Sequence, residues 1–495
     1  MAYLQNYLEK NAPEKQSSAV IAYLASLDHL SGVYPKISQA IIKELEDQRS
    51  HLKLIASENF SSYAVQLAMG NLLTDKYAEG YTGHRFYAGC ENVDTIEAEA
   101  QNQLKLLFGA EAAYVQPHSG ADANLVAFWS ILVKNIQNKE VERLGKKSID
   151  ELSGEEYESI RQLMLNQKIL GLSLNSGGHL THGYKHNVSA KMMHAICYDV
   201  DKDSGLLDYD KIKEIALKEK PAILLAGYSA YPRKINFAKF REIANAVGAV
   251  LMVDMAHFSG LVAGKVFTGE FNPVPYADIV TSTTHKTLRG PRGGFILCKK
   301  EYEEVINKGC PLVLGGPLPH VMAAKAIAFK EANSEEFKNY AQRVVDNAKF
   351  LAQALIKKGM KLVTQGTDNH LLIIDLEPFG LTGRHGESVL REAKLTVNRN
   401  AIPFDKNGPW YTSGIRIGTP AITTLGMGKD EMEEIADIIY QVLSNTKPKI
   451  SEKTKQPSKA QFEINPSVLE KAKSRVLSLL AKYPLYPELA LALGL

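Results

Sequence analysis

Asp278-Ile-Val-Thr-Ser-Thr-Thr-His-Lys-Thr-Leu-Arg-Gly-Pro-Arg-Gly-Gly294 is the stretch that governs how the remaining sequence is read. An apolar strand start, Ile279 and Val280, runs into hydroxyl residues at 281–284 and a single lysine, Lys286. Gly290-Pro291 then breaks the run before a new apolar segment begins at Phe295. This order places one amine at the end of a strand. The short hydroxyls of Thr281, Ser282, Thr283 and Thr284, with the cations Arg289 and Arg292, suit an anion such as phosphate beside that amine. Burial lowers an amine's pKa and frees its lone pair, so a lysine placed this way suits Schiff-base chemistry. A solvated lysine with its head in water is the competing reading.

Val250-Leu-Met-Val-Asp-Met-Ala-His257 separates the two. It is an apolar strand with Asp254 and His257 at its carboxyl end, where ligands bind in open α/β sheets. A carboxylate there can pair with a protonated pyridine nitrogen, the arrangement that keeps pyridoxal phosphate an electron sink. Capping a turn is the plainer role for such an Asp. Apolar strands at 222–226, 249–253, 279–281 and 294–298 alternate with helical stretches such as 237–247, which predicts an α/β fold with a mainly parallel sheet flanked by helices. A helix at 98–108 closed by Gly109, a strand at 112–115 and a helix at 122–133 precede them. The turn at 118–121 would present helix N-terminal amides to a phosphate, although glycine turns also precede helices that bind nothing.

Six further stretches stand beside these two: Leu54-Ile-Ala-Ser-Glu-Asn59, Lys76-Tyr-Ala-Glu-Gly-Tyr81, Val115-Gln-Pro-His-Ser-Gly120, Gly177-Gly-His-Leu-Thr-His-Gly183, Thr367-Asp-Asn-His370 and Ser413-Gly-Ile-Arg-Ile-Gly-Thr-Pro420. In this order, and over residues 35–444, the set resembles serine hydroxymethyltransferase, a pyridoxal-phosphate enzyme family of the aspartate-aminotransferase fold. The expected organisation is an N-terminal helical arm at 1–60, a large cofactor-binding domain at 61–330 and a smaller C-terminal α/β domain at 331–495. The resemblance implies reversible transfer of the serine hydroxymethyl group to tetrahydrofolate, giving glycine and 5,10-methylenetetrahydrofolate, in a homodimer with shared active sites. Folate-independent aldol cleavage of 3-hydroxy amino acids, or racemisation of a small amino acid, is the alternative within related enzymes. A non-catalytic binding protein is the other, and the joint presence of Lys286, Asp254, Glu79 and Arg416 argues against it.

The same resemblance assigns roles. Lys286 would carry pyridoxal 5'-phosphate as a Schiff base, Asp254 hold the pyridinium proton, His257 hydrogen-bond near the ring oxygen, and His179 stack on the ring. Ser119, Gly120, Ala121, Ser229, Thr283, Tyr77 and Gly316 complete the implied cofactor set. Arg416 would clamp the substrate carboxylate with its planar fork, a structural salt bridge being its plainer role. Ser57, Glu79 and Tyr87 would meet the substrate, with Glu79 as acid/base group and His285 influencing substrate choice. Tyr77, Glu79 and Tyr87 would reach the other subunit's site. Folate contacts would fall on Leu174, Gly178, His179, Leu180, Asn400, Gly408, Pro409 and Trp410. His179, His182 and His186 also have the spacing of metal ligands, but their flanking glycines fit a flat ring better, and no metal is expected.

Three positions depart from the family pattern. Ala121 stands where a phosphate-binding serine is usual, Phe86 where a second tyrosine is usual, and Gly309-Cys-Pro-Leu-Val-Leu314 lacks a glycine-rich run. Residues 135–168 are sharply charged and read as an inserted, mostly helical, solvated excursion. A single helical tract is expected after Gly316 as far as about Lys357, an exposed lysine-rich connection at 447–459, and a last helix at 468–480. Lys+Arg 58 against Asp+Glu 55 gives +3, no overall field for nucleic acid or an anionic membrane. The start lacks a secretory pattern, and no apolar run is long enough to cross a bilayer. Cys90, Cys197, Cys298 and Cys310 show no ligand spacing, so reduced thiols in a cytoplasmic protein are expected.

Overall fold

The structure is a computed structural model and describes residues 3–452 and 455–489. Met1 and Ala2 of the expected arm, residues 453–454 of the lysine-rich connection and residues 490–495 lie outside the described residues. Seven strands form the main sheet: β1 (Ala112–Tyr114), β2 (Lys168–Leu172), β3 (His194–Tyr198), β4 (Ile223–Gly227), β5 (Val250–Asp254), β6 (Ile279–Thr283) and β7 (Gly294–Cys298). Their order is β1-β7-β6-β5-β4-β2-β3. The five strands β3-β2-β4-β5-β6 run parallel, while β7 is antiparallel to both β6 and β1. The expected α/β class and mainly parallel sheet are therefore found.

Burial explains why β4, β5 and β6 were readable: each is buried along its whole length, so it appears as a continuous apolar run. Alternate side chains feed two cores. Leu251 and Val253 join Leu224, Val280 and the helix residues Phe237 and Phe240 on one face. Val250 and Met252 join Ile223, Ile279 and the helix residues Val126 and Ile131 on the other. β2 and β3 were not among the expected strands. Lys168-Ile-Leu-Gly-Leu172 contains a glycine, and His194–Tyr198 is an edge strand with exposed His194 and Cys197, so neither shows a clean run or alternation.

A second sheet, β8 (Lys361–Leu362), β9 (Leu371–Asp375), β10 (Asn398–Asn400) and β11 (Gly414–Gly418), is antiparallel in the order β8-β9-β11-β10. The helical tract expected to run on to 357 is two helices, Pro319–Ala332 and Glu335–Lys357. Ser334 breaks it by accepting the Phe337 amide, with Glu335 and Glu336 in the following first turn. The second of these helices spans two cores: Phe337 and Val344 pack with the main sheet, Leu351 and Leu355 with the smaller one.

The lysine-rich connection is also different from expectation. Thr446–Ile450 and Pro457–Ile464 pair antiparallel as a hairpin, in which Phe462 and Ile464 pack on the smaller core between exposed neighbours. The charged insertion is helical as expected, with Asn138–Arg143 and Gly154–Leu165, the latter opened by a Ser153/Glu156 capping box. At the N-terminus, helices Tyr3–Lys10, Ser18–Val33 and Pro35–Ser50 pack through Tyr7, Leu24 and Leu45 against Phe60, Leu485 and Leu489. Just beyond them, after His51, Leu52–Lys53 adds a parallel strand to Leu395–Thr396. No described helix is long and apolar enough to cross a membrane.

Candidate active site

Strand register brings the candidates together. Gly227 pairs with Asp254 and Asp254 with Thr281, so the carboxyl ends of β4, β5 and β6 lie level. The chain leaving them carries Ser229, His257 and Lys286.

Asp254 is buried and accepts from Asn124 Nδ2 at 2.9 Å, His182 Nε2 at 3.2 Å and the Ala256 amide at 3.0 Å. Burial alone would raise its pKa, but the His182 and Asn124 hydrogen bonds and the neighbouring His179 hold it well below the usual range. A carboxylate offers about four acceptor positions, so roughly one remains for a further N–H donor. Asn124 is itself oriented by Thr281, which donates to its carbonyl.

Lys286 is half-buried, and Asn59 Nδ2 donates to its backbone carbonyl at 3.0 Å. Burial brings its amine down to about 8, with Asp254 opposing that shift and Arg416 and Arg292 adding to it. His257 lies within the field of Lys286 and Arg416, and its Nδ1 stands 3.2 Å from Nε2 of His370. Burial drives both rings below the ordinary histidine range, His370 to about 3, so both are neutral at pH 7. His179 is pushed to about 4 by burial, and His285 to about 3 by burial and Arg292.

Arg416, on β11, donates to the Ser229 carbonyl at 2.6 Å and to Asn398 Oδ1 at 3.2 Å. Burial lowers it to about 10, and it has no carboxylate partner among the described residues. This removes the structural salt bridge as its role. Ser57 lies next to Ala56, which packs against Gly418 at the end of the same strand.

The turn at 119–121 heads helix Gly120–Leu132, with Ser119 Oγ accepting the Asp122 amide. It is pressed onto the sheet: a Cβ on Gly294 would stand 2.2 Å from the Ser119 carbonyl, and one on Gly120 2.7 Å from Thr283 Cγ2. The hydroxyl run is not the anion cradle the sequence suggested. Thr281 donates to Asn124, Ser282 to the Thr283 carbonyl, Thr283 to the Ala256 carbonyl and Thr284 to the Pro291 carbonyl, so these hydroxyls hold the chain in place. Arg289 likewise turns away, its guanidinium 4.6 Å above the Tyr340 ring.

Not every candidate converges. Tyr77 and Tyr87 meet at 5.0 Å but are 56% and 47% exposed, and Tyr77 lies against Gly316. Among the described residues no hydrogen bond or ion pair joins Tyr77, Glu79 or Tyr87 to Lys286, Asp254 or Arg416. Beside His179 a cavity of about 580 Å³ is lined by Leu174, His182, Tyr184 and Lys191. Leu180, Asn400, Gly408, Pro409 and Trp410 are not in its walls. Asn400 instead pairs with Gly414, two residues from Arg416, and Trp410 is exposed. His179 and His182 have ring centroids 6.0 Å apart while His186 lies against Tyr184, so the three histidines do not form one ligand set.

Sequence reasoning gave no role to Asn59, Asn124, His370 or Lys325, and it considered His182 only as a metal ligand. Asn59 and His370 sit inside stretches already singled out, which was the available signal. Asn124 and Lys325 sit in helix interiors and carry none.

Comparison with known proteins fits this geometry. The family model described as serine hydroxymethyltransferase matches residues 30–140 and 152–439, leaving a gap inside the charged insertion. A serine hydroxymethyltransferase of Treponema pallidum is 60% identical over 98% of this chain and 84% of its own length. One from Chlamydia trachomatis serovar D is 57% identical over 99% of this chain and 98% of its own, and one from Mycolicibacterium smegmatis 53% over 97% of each. With a family match spanning most of its length and relatives this similar, the chain belongs to the serine hydroxymethyltransferase family.

Proposed function

We propose that the chain transfers the hydroxymethyl group of serine reversibly to tetrahydrofolate, giving glycine and 5,10-methylenetetrahydrofolate, with pyridoxal phosphate as cofactor. The observation that carries this reading is the half-buried Lys286, its amine near 8 in the field of buried Asp254 and of Arg416, which has no carboxylate partner among the described residues. The donor set fits the cofactor. Lys286 offers an amine for its aldehyde, Asp254 has an acceptor position left for a ring N–H, and the amides of Gly120 and Ala121 head a helix where a phosphate is favoured. When bound, pyridoxal phosphate supplies the aldehyde that captures an amino acid and the ring that withdraws electrons from its Cα.

The chain supplies orientation and proton handling. Arg416 receives the substrate carboxylate in a bidentate pair and so fixes which bond at Cα is presented for cleavage. Its bond to the Ser229 carbonyl holds the guanidinium in place. Asp254 stays ionised at neutral pH and keeps a ring N–H protonated. His179 covers the ring face, and neutral His257, held by His370, offers a hydrogen bond near the ring oxygen. Thr283 and Ser119 position the phosphate turn. Glu79 carries the proton at the substrate hydroxyl and in the folate step. Leu174, Gly178, Leu180, Asn400 and the turn 408–410 take the folate.

A homodimer completes the site. Tyr77 and Tyr87, with Phe86 69% and Tyr34 57% exposed, are large apolar groups left open by one chain, and in a dimer they and Glu79 enter the neighbour's site. The free thiols fit a cytoplasmic setting. Incubating the holoprotein with serine, with and without tetrahydrofolate, tests the reading. Glycine formation that depends on folate supports it. Glycine formed equally fast without folate would indicate aldol cleavage, and D-serine would indicate racemisation.

A further inference from the structure

Lys325, in helix Pro319–Ala332, is 1% exposed. Its Nζ donates to the carbonyls of Val115 at 2.6 Å, Pro117 at 2.9 Å and Gly294 at 2.9 Å. Three acceptors engage all three N–H groups of an ammonium, whereas a neutral amine has only two. Burial pulls its pKa to about 7, and the carboxylates of Glu97 and Asp122 oppose that shift.

The three carbonyls belong to the exit of β1 and the start of β7, on either side of the turn that leads to Gly120 and Ala121. Gly294 also donates its amide to Pro117 at 2.9 Å. There is no slack: a Cβ on Gly293 would stand 2.5 Å from Lys325 Cε, as one on Gly294 would meet the Ser119 carbonyl. The ammonium therefore ties residues 115–117 to Gly294 beside the turn. Charge adds to this. Asp122, in the first turn of the helix, accepts from Ser119 Oγ at 3.0 Å and would repel an anion seated there. Ala121 contributes no hydroxyl to offset it.

We propose that Lys325 is a positioning residue for the phosphate of the cofactor: it pins residues 115–117 to Gly294, presents the amides of Gly120 and Ala121, and counters Asp122 with a buried positive charge. This rests on the reading that the turn at 119–121 seats that phosphate. The test compares dissociation constants of pyridoxal phosphate and of phosphate-free pyridoxal for the apoprotein, in wild type and in Lys325→Met, by calorimetry. Wild type should prefer the phosphorylated aldehyde; no preference would overturn the phosphate seat itself. In Lys325→Met the constant for pyridoxal phosphate should rise about 10- to 100-fold, the scale of hydrogen bonds to a charged group, while that for pyridoxal stays within about twofold. Equal weakening of both ligands would mean a merely structural role, and an unchanged preference would likewise overturn the proposal. If Lys325→Met does not fold, Lys325→Gln keeps two donors without the charge and is read by the same ratio.

Discussion

The strand ends of the main sheet and the segment at 76–88 both supply candidate residues, but they are built in opposite ways. At the strand ends each functional group is held by its own chain: Asp254 accepts three hydrogen bonds, Asn59 holds the Lys286 carbonyl, and His370 holds His257. In the segment, Tyr77, Phe86 and Tyr87 face solvent, and Glu79 has no tie to Lys286 among the described residues. On the proposed reading, the strand-end groups must be in place before the cofactor arrives, which a single chain provides, and the open groups at 76–88 are brought to the site by a second copy.

Removing the amine should have the largest effect. Lys286→Ala should lower folate-dependent serine turnover by at least about a thousandfold, because it removes the amine that lies within the field of both Asp254 and Arg416. Near-normal turnover would remove Lys286 from its role. The same amine has a pH signature. Its nucleophilic form exists above its pKa, so capture of pyridoxal by the apoprotein should rise with pH through about 8 rather than 10.5. A midpoint near 10.5 would show that burial does not set its reactivity.

The contrast between the two regions can be broken directly by subunit exchange. Glu79→Gln keeps shape but loses the proton carrier, and Lys286→Ala loses the amine. If each site takes Lys286 from one chain and Glu79 from the other, a mixed dimer has one intact site and one doubly defective site. Random exchange makes roughly half the dimers mixed, so activity should recover to roughly a quarter of wild type. No recovery after verified exchange would place both residues in one chain's site.

Arg416→Lys tests the unpaired cation. A lysine keeps the charge but not the fork, so the KM for serine should rise roughly 10- to 100-fold with cofactor binding unchanged. An unchanged KM would mean that the carboxylate is held elsewhere.

The difference between the regions also explains what was legible in the sequence. β4, β5 and β6 are buried on both faces, so their apolar runs and the polar residues at their ends stand out. Asp254, His257 and Lys286 could be picked from pattern alone. Asn124 and Lys325 could not: each lies in a helix interior and gains its meaning from a partner 130 or 208 positions away. For Arg289 the sequence shows the charge but not its placement 4.6 Å above the Tyr340 ring. The break at Asn333-Ser334 was missed because the residues on both sides are good helix formers, and only the Ser334 cap interrupts them.

The smallest effect is expected at Ala121. Its amide and that of Gly120 head the helix, where an anion is favoured, but it has no hydroxyl to add. Ala121→Ser supplies one at an exposed position, so no packing has to yield. A hydrogen bond to a charged phosphate contributes about 1.5–3 kcal/mol, and water competes at an exposed site, so the low end applies: about tenfold tighter retention of the cofactor. The gain should appear with pyridoxal phosphate and vanish with pyridoxal, since only the first reaches the new hydroxyl. It should also be smaller than the loss in Lys325→Met, because the added hydroxyl contributes one donor to a turn already in place while Lys325 ties down the chain beside that turn. Equal retention by wild type and Ala121→Ser on dialysis would mean that water or another donor already fills the position. A gain shared by pyridoxal would show that the substitution acts on the turn's conformation and not on the phosphate.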